Sequence, residues 1–336
     1  MSHVGRAKPG LEFELRARQL WSRFPEPLIT SPTLVRSVRR VAKALRRHPG
    51  EFRVVRTLAD VDEMLERIDR AAAVSDDELH RQFRSFRLEV DWTFPSDPFS
   101  EEYRQAVLDC YEWLRGQPYT NVNEHVPFDV SAAVDNPFPY ATGSARTVGE
   151  HYIAIGQALR ALDLPPGSRV LELGAGWGNL TLALAQAGFA VTAVDVGQNF
   201  VDLIRARATR MNVEVETVVG DFSIVEQMER HYDAVIFFES FHHSADHQRL
   251  VENLDRVVAP GGRMVFATEP VSRGFALPWG PRLDGQSVWA IRKHGWLELG
   301  FRNSYFEALL QRHGWKLQVV KGTQTPDVGT FVAQRS

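Results

Sequence analysis

Apolar residues follow two different rhythms along the chain. Up to about residue 140 they recur at helical spacing. Leu34, Val38, Val41 and Leu45 form one stripe, with Arg36, Arg39, Arg40, Lys43, Arg46 and Arg47 around the other side. That basic side reads as a solvated helix face, and a patch for an anionic ligand or membrane surface is the alternative. A second helix is expected from Leu58 to Ala73, with Leu58, Val61, Leu65 and Ile68 as its apolar stripe. Pro95 and Pro98 break the pattern, and a further helix is expected over Tyr103 to Leu114. The segment from Gln117 to Arg146 holds Pro118, Pro127, Pro137 and Pro139, which predicts extended or loop structure. Its aromatic and apolar content argues against disorder, so a functional loop is the better expectation.

The rhythm changes near Thr147. Short β-rich runs then alternate with helical stretches. Strands are expected at Val170–Leu173, Ala190–Val194, Val213–Val219, Tyr232–Phe238 and Arg263–Thr268. Helices are expected at Val148–Leu162, Leu180–Ala187, Phe200–Met211 and His247–Val258, the second stopped by Gly188. Pro260-Gly261-Gly262 turns the chain into the fifth strand. Ser304 and Glu307 suggest a capping box that opens a last helix, with Gly314 as its stop. Trp315–Lys321 and Val328–Ala333 then read as strands joined too tightly for a helical crossover, hence as an antiparallel hairpin. The alternation predicts an α/β, doubly wound, Rossmann-like sheet of seven strands. The expected division is a mainly helical region over 1–146, suited to substrate recognition and to a lid, and a ligand-binding domain over 147–336 with an insert at 271–300.

Composition narrows the function. The chain has 336 residues and a formal net charge of −3, which argues against a dedicated nucleic-acid binder. Cys110 is the only cysteine, so neither an internal disulfide nor a cysteine-rich zinc cluster is available, and packing is its expected role. Met1 to Gly10 lacks the apolar centre of a signal peptide, and no apolar run approaches the roughly 20 residues that span a bilayer. A cytoplasmic location without an integral membrane segment is therefore expected.

Candidate chemistry gathers at predicted strand ends. Val170-Leu171-Glu172-Leu173-Gly174-Ala175-Gly176-Trp177-Gly178-Asn179 is a buried strand that ends in a glycine turn and opens a helix. Glycine lets the backbone turn sharply and a ligand approach closely. Asn179 stands where the dinucleotide fingerprint needs its third glycine. Asp195 ends the second strand, about 20 residues after Gly174, the interval at which an acid meets a ribose hydroxyl. Asp221 and Phe222 follow the third strand and suit an adenine amino group and ring. The fourth strand closes on Phe237, Phe238, Glu239, Ser240, Phe241, His242 and His243. Either imidazole suits general base catalysis near neutral pH. No metal is assigned, because His242, His243, Asp246 and His247 match no established ligand spacing.

From Gly149 to Arg335 these features resemble the class I S-adenosylmethionine-dependent methyltransferases. The resemblance rests on the glycine turn, the acids after strands two and three, the Pro-Gly-Gly turn and the terminal hairpin. It implies S-adenosyl-L-methionine as cofactor. Glu172, Gly174 and Gly176, with their neighbours Ala175 and Asn179, would then line its methionine part. Asp195 and Val196 would meet the ribose, Asp221 and Phe222 the adenine, and Phe238 and Glu239 would lie close by. Gly197 replaces the Ser or Thr usual two residues after the ribose acid, so helix capping would fall to Gln198 or Asn199.

Acceptor recognition is expected in the additions to this core. Tyr140, Arg146 and His151 resemble the position of a lid. The insert carries Trp279, Arg282, Trp289, Arg292 and His294, together with Asp284, Lys293 and Trp296. Aromatic faces beside charged donors suit a sugar or another polyhydroxylated acceptor, and equally a homodimer interface. The leading expectation is O-methylation of a small molecule or glycan, with His242 or His243 as base and Glu239 as an orienting group. N- or C-methylation and a non-catalytic cofactor-binding protein of the same fold are the alternatives. A nicotinamide-dependent oxidoreductase is disfavoured by Asn179 and the hairpin.

Overall fold

The computed structural model describes residues 52–136, 144–323 and 328–335. The Leu34–Leu45 stripe, its basic face and Tyr140 lie outside them. One compact unit spans Val54–Ser336. Its centre is a seven-stranded sheet built from β1 (Arg169–Leu173), β2 (Ala190–Asp195), β3 (Glu216–Val219), β4 (Tyr232–Phe238), β5 (Val258–Glu269), β6 (Trp315–Val319) and β7 (Gly329–Arg335). The order across the sheet is β6-β7-β5-β4-β1-β2-β3. β1 to β5 run parallel, while β7 is antiparallel to both β5 and β6. The order reverses at β1, where β4 lies on one side and β2 on the other. That reversal opens the crevice in which doubly wound sheets take ligands.

Two-residue alternation assigns each strand position to a face. Val170, Ala234, Ile236 and Val265 face a helix, α1 (Ala145–Leu162), through Ile155, Ala158 and Leu162. Leu180 and Leu184 of α2 (Asn179–Gln186) join the same layer. The next residues along the strands, Leu171, Leu173, Val235, Phe237, Met264 and Phe266, belong to the opposite face. They pack with Leu250, Val251 and Leu254 of α4 (His247–Val257) and with Phe306, Leu309 and Leu310 of α5 (Asn303–Arg312). A further helix, α3 (Gln198–Met211), follows β2.

The residues before α1 build outward from this second face. Val61, Met64 and Ile68 of the helix Leu58–Ala72, and Tyr103, Val107, Tyr111 and Leu114 of the helix Glu101–Arg115, belong to the same continuous core as Phe237 and Phe266. The described residues on both sides of position 146 thus share one core. The insert completes the layer. It forms a small sheet in which Leu299–Arg302 lies between Val271–Ser272 and Trp279–Pro281. Trp279 is 1% exposed, and its indole donates to Pro98 O at 2.8 Å. The Tyr103 hydroxyl donates to Trp279 O at 2.8 Å. The Arg292 guanidinium grips the Asp62 carboxylate through two bonds of 3.0 Å.

Several local expectations change. The last helix begins at Asn303 with Arg302 as its cap residue and no side-chain cap, so Ser304 and Glu307 form no capping box. Neither Gln198 nor Asn199 caps α3, whose cap position is Gly197. Gln198 bonds Asp202, and Asn199 reaches Val126 O instead. β3 is shorter than expected and starts at Glu216. The segment after residue 117 contains a helical turn at Asn121–Glu124 and a short helix at Val130–Asp135. Among the described residues, no helix is long and apolar enough to cross a membrane. Cys110 is buried in the core, as packing requires.

Trp279 joins the insert to the helices that precede α1. Trp279→Ala should therefore cost about 3–5 kcal/mol of stability, the usual range for a large aromatic removed from a core. Thermal unfolding of the variant checks this, and an unchanged midpoint would refute the packing role.

Candidate functional site

The crevice at the sheet reversal holds a cavity of about 460 Å³. That lies within the roughly 300–1,000 Å³ typical of small-molecule sites. Gly174, Gly176, Asp195, Val196, Asp221, Phe222, Glu239, Ser240 and His243 line it. The turn after β1 needs its glycines. Gly174 has φ of 76°, and a Cβ there would meet Ser240 Cβ at 2.6 Å. At Gly176, φ is 50°.

Asp195 closes this turn. Its Oδ2 accepts from Gly176 N at 2.7 Å and its Oδ1 from Gly197 N at 2.9 Å. Burial raises its carboxyl above the usual range, and those two amides oppose the rise. Both oxygens keep lone pairs for further donors. Asp221 accepts from Ser223 N and Ser223 Oγ through Oδ1, and from Asn121 Nδ2 at 2.6 Å through Oδ2. Burial pushes its carboxyl upward, but these donors outweigh it and hold the group low.

Strand alternation places other expected residues elsewhere. Glu172 shares the face of Val170, is 1% exposed, and accepts from Thr181 Oγ1 of α2 at 2.6 Å. Burial pushes its carboxyl up to about 8. It is not on the cavity wall, and neither are Ala175, Asn179 and Phe238. Ala175 packs with Ala193 and Ile204. Asn179 accepts from Arg207 Nη2 at 2.9 Å and approaches His151 Nε2 at 3.5 Å. Phe238 meets the His151 ring edge-on at 5.3 Å.

The end of β4 is shaped by Glu269, the last residue of β5 and fully buried. Its Oε1 accepts from Ser240 N at 2.8 Å and Phe241 N at 2.9 Å. Its Oε2 accepts from His242 N at 3.2 Å and lies 2.8 Å from His242 Nδ1. A carboxylate only accepts, so Nδ1 of His242 carries a proton, and in the neutral ring Nε2 holds the lone pair. Burial disfavours a charged His242 ring, but the adjacent Glu269 outweighs burial and raises it. His242 lies behind the cavity wall.

His243 is the imidazole that reaches the cavity. Its Nδ1 donates to Leu297 O at 2.8 Å, which leaves the lone pair on Nε2. Burial, and then the neighbouring His242, hold it well below the usual histidine range, in the neutral form. Glu239 takes a left-handed backbone with φ of 52°. Its side chain opens to the cavity yet sits deep among protein atoms, and that desolvation pushes its carboxyl up to about 7.

A strap that the sequence did not single out residue by residue covers the cavity. Tyr119, Asn121, Glu124 and Val126 all line it. The Tyr119 hydroxyl donates to His243 O at 3.2 Å, and His125 Nε2 lies 2.8 Å from Asn199 Oδ1. Glu124 Oε1 accepts from Leu297 N at 2.8 Å. Burial pushes the Glu124 carboxyl up to about 8, and the Leu297 amide opposes this. The proline-rich loop was the only signal for this strap, and it marked a loop without its contacts.

The expected acceptor residues divide. Arg146 is exposed, pairs with Glu150 on its own helix and is not on the cavity wall. Trp279 is a core anchor and Arg292 holds Asp62, so both are engaged within the chain. Arg282 approaches Glu298 at 3.5 Å, next to His242. His294 stacks on Trp296 with ring centres 4.5 Å apart, and Trp289 meets His294 edge-on. Of these rings only Trp296 lines the cavity. His247 bonds Tyr305 and Ser244, and Asp246 pairs with Arg104.

Comparison with known proteins agrees with this geometry. Residues 170–262 match the family model described as a methyltransferase domain. The ubiquinone biosynthesis O-methyltransferase of Coxiella burnetii is 30% identical over 109 residues, covering 32% of this chain and 46% of that protein. The glycine/sarcosine/dimethylglycine N-methyltransferase of Actinopolyspora halophila is 26% identical over 269 residues, covering 75% of this chain and 45% of that protein. The chain thus spans about half the length of these relatives. Magnesium protoporphyrin IX methyltransferase from Synechocystis is 18% identical, covers 68% of this chain and 94% of its own, and has a TM-score of 0.43. The glycine turn and the acids after β2 and β3, which line one cavity, all fall within the stretch 170–262 that matches the methyltransferase domain model.

Proposed function

We propose that this protein transfers a methyl group to a hydroxyl of a small polar molecule, a sugar or another polyhydroxylated compound. The observation that carries this reading is the neutral imidazole of His243, fixed at the cavity wall with its Nδ1 bonded to Leu297 O and its Nε2 lone pair unprotonated.

The residues present fit S-adenosylmethionine. Gly174 and Gly176 leave room for backbone to lie against a ligand, since a Cβ at Gly176 would meet nothing within 4 Å. Asp195 offers two oxygens to a pair of hydroxyls, and Asp221 beside Phe222 suits an amino-substituted ring. Bound S-adenosylmethionine supplies an electrophilic methyl on a sulfonium centre. The protein's own share is to position the acceptor and to take its proton. His243 takes the proton, and Trp296 offers an aromatic face to the acceptor. Glu239 and Glu124, both raised toward the neutral form, present hydroxyl-like groups that orient it.

An amine acceptor is the second reading. It is favoured by the same two acids and by the N-methyltransferase relative, which aligns over more of this chain than the O-methyltransferase relative does. The mass and fragmentation of the product separate the two.

Calorimetric titration with S-adenosylhomocysteine tests the cofactor site. The wild-type protein should bind, and Asp195→Ala should weaken binding at least tenfold, about 1.4 kcal/mol. Equal affinity in the two proteins would remove Asp195 from the site. His243→Ala should lower kcat by about 10²–10⁴ while leaving S-adenosylhomocysteine affinity unchanged. Full turnover in that variant would rule out the base.

A further inference from the structure

Beside the cavity the chain brings together three side chains that lie far apart in sequence. One ligand atom from each of His242, His243 and Glu298 falls within 4.8 Å of the others. His242 Nε2 is 3.7 Å from Glu298 Oε2. We propose that these three residues bind one zinc-class divalent cation, with its remaining coordination position opening to the acceptor cavity.

Three observations support the site. The first is the ligand set: two imidazoles and a carboxylate with a position left open is the usual donor set of catalytic zinc sites. The second is the state of the rings. His242 donates Nδ1–H toward Glu269 Oε2 at 2.8 Å, and His243 donates Nδ1–H to Leu297 O at 2.8 Å. Metal-binding histidines are usually held this way, with the second nitrogen bonded to a carboxylate or a carbonyl. In their neutral forms both rings present Nε2 as the donor and are already oriented. The third is charge. Glu239, Glu269 and Glu298 surround His242, Glu124 lies 3.3 Å from His243, and Arg282 is the fixed cation facing this group. Arg282 itself also pairs with Asp284. A bound cation would offset the cost of ionising this buried group of acids.

The cluster is compact enough to contract onto an ion. Metal bonds of about 2.0–2.2 Å require small rotations of the Glu298 and imidazole side chains. His243 lines the cavity, so a cation there faces the acceptor. The site rests on the methyltransferase reading only for its consequence. In the loaded protein His243 would hold the cation, which would acidify the acceptor hydroxyl so that its proton could pass to solvent water in the cavity instead of to the free imidazole.

The test uses cobalt(II) as a visible probe, added to the purified full chain without any methyl donor. The wild-type protein should take up one equivalent and develop d–d absorption bands of low coordination number, and zinc should displace them. His242→Ala, His243→Ala and Glu298→Gln should each weaken binding at least a hundredfold. Glu269→Gln, which alters the support of His242 alone, should weaken it about 10–100-fold. His231→Ala, an exposed histidine outside the cluster, should leave binding unchanged. Circular dichroism and S-adenosylhomocysteine affinity show that each variant is folded. They also separate failure of the cation site from failure of the methyltransferase reading. No uptake by the folded wild-type chain, or uptake that survives the three ligand substitutions, would overturn the inference.

Discussion

The site depends on one buried carboxylate. Glu269 leaves β5 at the point where β4 ends, and it gathers three consecutive amides and an imidazole nitrogen from the loop that follows. Such a loop cannot be buried with its N–H groups unpaired, since each orphaned donor costs about 1–3 kcal/mol. By satisfying them from below, Glu269 lets the loop bend back over the sheet. Ser240 Oγ then reaches Leu173 O at 2.7 Å and ties the same loop to β1. Glycine turn, acid-lined cavity and histidine pair are thereby fixed relative to one another. The strained backbone at Glu239 and at Thr268, with φ of 52° and 58°, flanks this junction. Each such conformation costs of order 1–3 kcal/mol and persists only where its surroundings enforce it.

Much of this was legible in the sequence because its causes are local. Strand and helix rhythm, the Pro-Gly-Gly turn and the acid at the end of β2 are short-range patterns, and Asp195, Asp221 and Glu239 line one cavity at the ends of β2, β3 and β4. Face assignment was legible in principle. Glu172 and Phe238 sit in phase with Val170 and Ile236, which puts them on the layer that packs against α1 and α2. A motif gives position along the strand, and only the two-residue alternation gives the side.

The rest depended on long-range contacts. Asn121 meets Asp221 across 100 residues, and Glu124 meets Leu297 across 173. No periodicity encodes such a pairing. The insert misled for the opposite reason. Its Trp and Arg residues are what a binding surface requires, but they are also what joins two layers of one molecule. Trp279 and Arg292 serve that second purpose. Trp296 alone of the insert's aromatic rings turns to the cavity.

The clasp between Asp62 and Arg292 closes 230 residues of chain, and that between Tyr103 and Trp279 closes 176. During synthesis, β1, β2 and β3 can pair while later residues are still being added. The helices before α1, by contrast, must wait with Val61, Met64 and Tyr111 uncovered until the insert has emerged. Contacts of such separation form late because loop closure must precede their reward. Until those contacts close, the apolar faces of these helices stay open to water, the kind of surface that promotes aggregation in folding chains.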